Sequence, residues 1–160
     1  MNNAGIYIGK PFTEHTAEDY ASVMNVNMAG FYHITQLAIQ EMEKHSSGHV
    51  VSITASIDQV AISGVYSALA ALSKGGINAA TKSLAIEYAK KGIRVNAVAP
   101  GNIKTPMHPT EIHEALGTYN PIGRLGETND ITDAILFLDS APFITCLLYT
   151  SPSPRDLSTS

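Results

Sequence analysis

Apolar and small residues recur at Val23, Val26, Gly30, Ile34 and Leu37, the three-and-four spacing that gives an α-helix one buried face. Thr16-Ala17-Glu18-Asp19 ahead of them has the form of a helix start, a capping hydroxyl with a carboxylate three residues on. The pattern stops near Ser46-Ser47-Gly48. His49-Val50-Val51-Ser52-Ile53-Thr54 follows as a short β-branched run that reads as a buried strand. A second helix is expected from about Ser67 to Lys91, with Ile77, Ala80, Leu84 and Tyr88 facing inward and Gly92 closing it. Ile93 to Val98 reads as another strand ended by Pro100-Gly101, and residues 102 to 126 read as irregular. A third helix fits Asn129 to about Asp139, with Ile131, Ile135 and Leu138 on one side.

Strands alternating with helices of this length predict an α/β domain with a parallel sheet covered by helices. Two clear strands, with the end of another at the N-terminus, are fewer than a doubly wound domain carries. The expectation is therefore a partial doubly wound parallel sheet, truncated at both ends, over residues 1–145. From Thr150 to Ser160, eight of eleven residues are Ser, Thr or Pro and the periodicity is gone. The sequence from Cys146 onward resembles translated sequencing-adapter DNA, so residues 146–160 are expected to be a disordered or non-native tail.

Composition narrows the function. The chain is 44% hydrophobic and 15% charged with a formal charge of -4, which suits a globular protein and offers nothing to nucleic acid or an anionic membrane. One cysteine, Cys146, excludes an intrachain disulfide and points to a reducing compartment. No apolar stretch reaches the ~20 residues of a membrane span, and cytoplasmic is the expected location.

Four blocks carry the chemistry: Asn2-Asn3-Ala4-Gly5; Asn25-Val26-Asn27; Lys74 opening Lys-Gly-Gly-Ile-Asn-Ala-Ala-Thr; and Arg94-Val95-Asn96-Ala97-Val98-Ala99-Pro100-Gly101 with Thr105-Pro106. Pro121 to Glu127 adds a weaker signature. In this order and spacing they resemble the short-chain dehydrogenase/reductase family over about residues 2 to 145. The resemblance implies a Rossmann-like fold and an oxidoreductase that moves a hydride between NAD or NADP and a carbonyl or alcohol. It implies that Asn3, Ala4, Gly5, Lys74, Pro100, Gly101, Ile103 and Thr105 meet the cofactor. It also implies a proton relay through Asn27, a hydroxyl that orients the substrate, and Lys74 lowering the pKa of a tyrosine hydroxyl that is otherwise too high for a base at neutral pH. An intact homodimer or homotetramer follows from the same source.

The chain departs from that pattern in three places. The position four before Lys74 is Ala70, not tyrosine, and the nearest tyrosine, Tyr66, lies eight before it. On a straight helix eight residues give roughly 80° and 12 Å of offset, so Tyr66 serves as acid/base only if residues 64 to 69 fold its ring back over Lys74. The substrate-orienting hydroxyl falls on Thr54 or Ser56, either side of Ala55, with Thr54 favoured by the count from Asn27. The glycine-rich turn that seats the pyrophosphate at a helix N-terminus is absent from the sequence, so weak or no binding of NAD and NADP by these 160 residues is expected.

His108-Pro109-Thr110-Glu111-Ile112-His113 matches no standard metal spacing and reads as part of a substrate loop with Met107 and Tyr119, so no metal is expected. A second reading of the whole is a non-catalytic relative acting through self-association of its two long helices, favoured by Ala70. Unpaired sheet edges beside Asn3 and Val95 are expected to promote aggregation.

Overall fold

The computed structural model describes residues 1–59, 61–120 and 122–150. Helix α1 (Ala17–Val23) opens where the cap pattern places it. The Thr16 hydroxyl accepts from the Asp19 amide and the Asp19 carboxylate accepts from the Thr16 amide, which satisfies two N-terminal donors reciprocally. The chain then passes through a π-helical segment, Met24–Ala29, into α2 (Gly30–Glu43). That segment corrects the expected helix face. Val23, Asn27, Phe31, Thr35 and Ile39 are buried, whereas Val26, Ile34 and Leu37 are exposed. A π turn takes in one more residue than an α turn, so every inward position beyond it moves on by about one.

Strand β1 (Gly48–Ile53) leads through a loop to α3 (Ala68–Tyr88), a short 3-10 turn at Ala89–Lys91, and strand β2 (Ile93–Ala99). Gly92 sits between them at φ 72, left-handed backbone that favours glycine, and a side chain there would meet the Ser46 carbonyl. The inward face of α3 also differs from expectation. Ile77 is buried, but its companions are Ser73, Asn78, Thr81 and Ala85, while Leu84 and Tyr88 pack half-buried at the flank and Ala80 is half-buried. Within residues 102–126 the structure has a 3-10 turn at Thr110–Ile112 and helix α4 (His113–Thr118), where irregular chain was expected. Helix α5 spans Thr128–Ser140.

The sheet is parallel, in the order β1-β2-β3, with β3 formed by Leu148–Thr150. Gly48 to Ile53 pair with Ile93 to Val98, and Ala97 to Ala99 pair with Leu148 to Thr150. Structure therefore continues beyond Cys146, whose amide donates to the Val95 carbonyl, and the β2 edge expected to be free is covered there. The rest of the expected tail, residues 151–160, lies outside the described residues. On the other side Asn2 forms a parallel bridge to Ser52, with its amide donating to Val51 and its carbonyl accepting from Ile53.

Alternation along the strands makes two cores. Val50, Ile93 and Val95 pack with Ile39 of α2 and Ala85 of α3; Val51 and Val98 pack with Ala134 and Leu138 of α5 on the opposite face. Burying a side chain such as Ile93 or Leu138 contributes about 1.5–3 kcal/mol. The result is a layered α/β fold with helices on both faces, which sends the chain ends that follow Asn2, β1 and β2 to one rim of the sheet.

Candidate active site

At that rim the polypeptide turns away from the strand ends, the usual ligand position in an open parallel sheet. Asn27, 1% exposed, is carried there by the π segment. Its Oδ1 accepts from the Ile6 amide at 2.9 Å, and its Nδ2 donates to the Ile6 carbonyl at 3.1 Å and to the Ser73 hydroxyl at 3.0 Å. One side chain thus fastens the loop after Asn2-Asn3-Ala4-Gly5 to helix α3.

Lys74 is on α3, directly after Ser73. Its ammonium donates to the Ile53 carbonyl at 2.9 Å, where β1 ends, and burial lowers its pKa from the usual lysine range. Gly5 joins the two residues. A Cβ on it would stand 3.1 Å from Lys74 Nζ and 3.5 Å from Asn27 Oδ1, so the missing side chain lets the backbone lie across both. A partly open cavity of about 110 Å³ sits here, lined by Asn3, Ala4, Asn27, Phe31, Ile53 and Lys74 among others.

The other expected residues divide. The Thr54 amide and hydroxyl both donate to the Val98 carbonyl, at 2.8 and 3.3 Å, so this side chain faces the sheet. Ser56 lies at the rim with its amide donating to Pro100 O at 3.2 Å, bringing the end of β1 against the Pro100-Gly101 turn. Ile103 is buried and bridged to Gly126, the Lys104 amide donates to Gly126 O, and the Thr105 carbonyl accepts from the His108 amide. The histidine pair is used within this loop: His108 Nδ1 lies 2.9 Å from Ile103 O, and His113 Nε2 lies 2.8 Å from His108 O.

Among the described residues Tyr66 makes no hydrogen bond to the lysine, whose ammonium is bonded to Ile53 O. The tyrosine precedes α3, is 55% exposed, and is held by its backbone carbonyl, which accepts from the Tyr7 hydroxyl at 2.8 Å. Ala70, in the tyrosine's usual place, is buried and apolar at 5% exposure. The residue that sequence reasoning passed over is Ser73, fully buried, accepting from Asn27 and donating to Ala70 O at 3.0 Å. Its only signal was its place beside Lys74.

A family model described as enoyl-(acyl carrier protein) reductase matches residues 1–147. A tropinone reductase homolog of Arabidopsis thaliana is 36% identical over 154 residues, covering 91% of this chain and 57% of its own length. Senescence-associated protein 13 of the same plant is 36% identical over 153 residues, with 91% of this chain and 55% of the relative covered. The chain thus spans just over half the length of these relatives. Among solved structures, ElxO with NADP bound superposes with a TM-score of 0.87 at 34% identity, covering 93% of this chain and 63% of that one. The NADPH-bound form of an ElxO variant gives 0.85 at 31% identity, with 94% and 65% covered. With Asn27 bonded to Ser73 and the next residue, Lys74, bonded to the end of β1, these matches identify the chain as a member of the short-chain dehydrogenase/reductase family.

Proposed function

We propose that the complete protein is an NAD(P)-dependent oxidoreductase that interconverts a small carbonyl compound and its alcohol. The observation that carries this reading is that Asn27 and Lys74 line one cavity and the Gly5 backbone lies against both of them. The residues suit a nicotinamide nucleotide. Among the described residues Lys74 has Ile53 O as its hydrogen-bond acceptor, which leaves two ammonium N–H groups for a ribose diol. Gly5 has no Cβ to obstruct the approach. Asn3, Ala4, Pro100, Gly101, Ile103 and Thr105 would flank the ring and its carboxamide. The cofactor supplies the hydride; the protein supplies orientation and the proton.

For the proton, Asn27 is held too firmly to turn and serves to fix the relay's geometry. Tyr66 is exposed and Ala70 carries no proton, so this duty falls to water beside the part-buried Lys74 ammonium, whose lowered pKa makes it the better acid. Ser56 is the better candidate for the hydroxyl that orients the substrate, because Thr54 is engaged by Val98. The intact protein is read as a homodimer or homotetramer. No described helix is long and apolar enough to cross a membrane; cytoplasm is the proposed location, although one relative is named as chloroplastic. The test is nicotinamide absorbance with a panel of ketones and aldehydes in the complete protein. Turnover should be present, be abolished in Lys74→Ala and persist in Tyr66→Phe. Undiminished turnover in Lys74→Ala would remove the basis of the assignment.

A further inference from the structure

At the other end of the strands, on the sheet face covered by α5, a hydrogen-bond chain fixes the state of one histidine. Asn96 is fully buried. Its Oδ1 receives the Leu147 amide at 2.9 Å, and its Nδ2 lies 3.0 Å from Ile144 O. A backbone N–H can only donate and a carbonyl can only accept, so these two partners settle which atom of the carboxamide is which. The remaining hydrogen on Nδ2 points at His49 Nε2, 3.0 Å away. That ring nitrogen must be the bare acceptor. The ring proton is then on Nδ1, facing Asp139 Oδ1 at 3.1 Å at the end of α5.

A second proton on His49 has no place in this arrangement. An imidazolium carries N–H on both nitrogens, which would set two donors against each other at the Asn96 contact. Turning the Asn96 carboxamide would relieve that contact and break its bonds to Ile144 and Leu147. We propose that His49 is an acid-sensitive latch: neutral, it locks Asn96 onto the segment Ile144–Leu148 and seats that segment along β2; protonated, it releases it.

The surrounding charges pull in both directions. Burial opposes protonation most strongly, the Asp139 carboxylate favours it, and the Arg94 guanidinium on β2 and the N-terminal ammonium oppose it. Arg94 is itself fixed by the carbonyls of Leu138, Ile144 and Asp139, at 2.7, 3.2 and 2.9 Å. The net direction is a pKa below that of an ordinary histidine. The folded state therefore binds fewer protons than the unfolded chain just below the usual histidine range. The latch is fully closed above that range and is lost as pH falls through His49's depressed native value.

The latch can be read directly by two-bond ¹H–¹⁵N correlation spectra and amide exchange on the labelled 160-residue chain between about pH 7.5 and 4.5. His49 should show the Nδ1–H tautomer and titrate below the ordinary histidine range. The Leu147 protection factor should fall at least about ten-fold as His49 takes its proton, while α3 amides hold theirs. In His49→Gln, whose carbonyl can accept from Asn96 at any pH, Leu147 protection should not change over this range. Limited proteolysis with mass detection gives a parallel reading, with acid-induced cutting near Ile144 in the wild type alone. An Nε2–H tautomer, a His49 midpoint at or above the ordinary histidine value, or loss of protection spread equally over α3 would overturn the proposal. None of these readouts depends on enzyme activity.

Discussion

Replacing Asn27 by Asp changes one atom of the amide to oxygen and leaves the shape intact. Oδ1 can still accept from the Ile6 amide, but the group that donated to Ile6 O and Ser73 Oγ becomes a second acceptor. The Ser73 hydroxyl can turn to face the carboxylate only by leaving Ala70 O. One buried acceptor therefore loses its donor, at about 1–3 kcal/mol. The charge is also buried, with the Lys74 ammonium as partial compensation. A native carboxyl raised by about two pH units adds about 2.7 kcal/mol at neutral pH. The deficit relative to wild type should be about 4 kcal/mol near pH 7, a large share of the 5–15 kcal/mol typical of a whole domain. It has a sign that can be checked. A carboxyl with a raised native pKa destabilises when ionised, so the deficit should shrink to about 1–2 kcal/mol as pH falls to about 4, where the neutral acid can donate again. Urea unfolding followed by far-UV circular dichroism, with both proteins at each pH, measures the difference. A deficit below about 1 kcal/mol at pH 7, or one that grows on acidification, would refute the hydrogen-bond assignment at Asn27.

Ser73→Ala should cost about 1–2 kcal/mol in the same assay by removing an acceptor from the Asn27 amide, and Ser73→Thr should recover part of that if the added methyl is accommodated. Burial lowers the Lys74 pKa, so the folded state releases that proton before the unfolded chain does; stability should rise with pH between the lowered value and the usual 10.5. Lys74→Met should lose this rise in a pH series of melting curves. Gly92→Ala should destabilise by about 2 kcal/mol or more, because alanine at φ 72 is strained and its methyl meets Ser46 O; an unchanged urea midpoint would contradict it. Ile34→Lys with Leu37→Lys removes two exposed apolar side chains from α2 and should shift size-exclusion elution toward the 17.0 kDa monomer.

What the sequence made legible was what local chemistry dictates. The Thr16–Asp19 cap, the β-branched runs and the glycine at 92 each act within a few residues, and each lies where its pattern says. Gly5, Asn27 and Lys74 were legible through their motifs, because family chemistry constrains residue type and order. The helix face was misplaced because hydrophobic periodicity presumes a constant turn, and the π segment breaks it. Leu148–Thr150 was read as tail because a strand of three residues is too short to show alternation, and only pairing with Ala97–Ala99 defines it. Ser73, Thr54 and Tyr66 depend on contacts across the fold. No spacing reveals that Ser73 meets Asn27, that Thr54 turns to Val98, or that the loop before α3 leaves Tyr66 at the surface.

The π segment also sets how the helix tolerates a change in its length. It is equivalent to a one-residue insertion in an otherwise continuous α-helix, accommodated locally as a bulge. At roughly 100° per residue, a chain shortened by one residue between Met24 and Ala29 would form a straight helix that keeps Phe31, Thr35 and Ile39 in phase with Val23. Such a helix would pack on β1 and α3 as before, and Asn27, four residues from Val23, would stay on that inward face. The bulge therefore absorbs one codon between the two halves of the helix, without a change in the residues that fill its core.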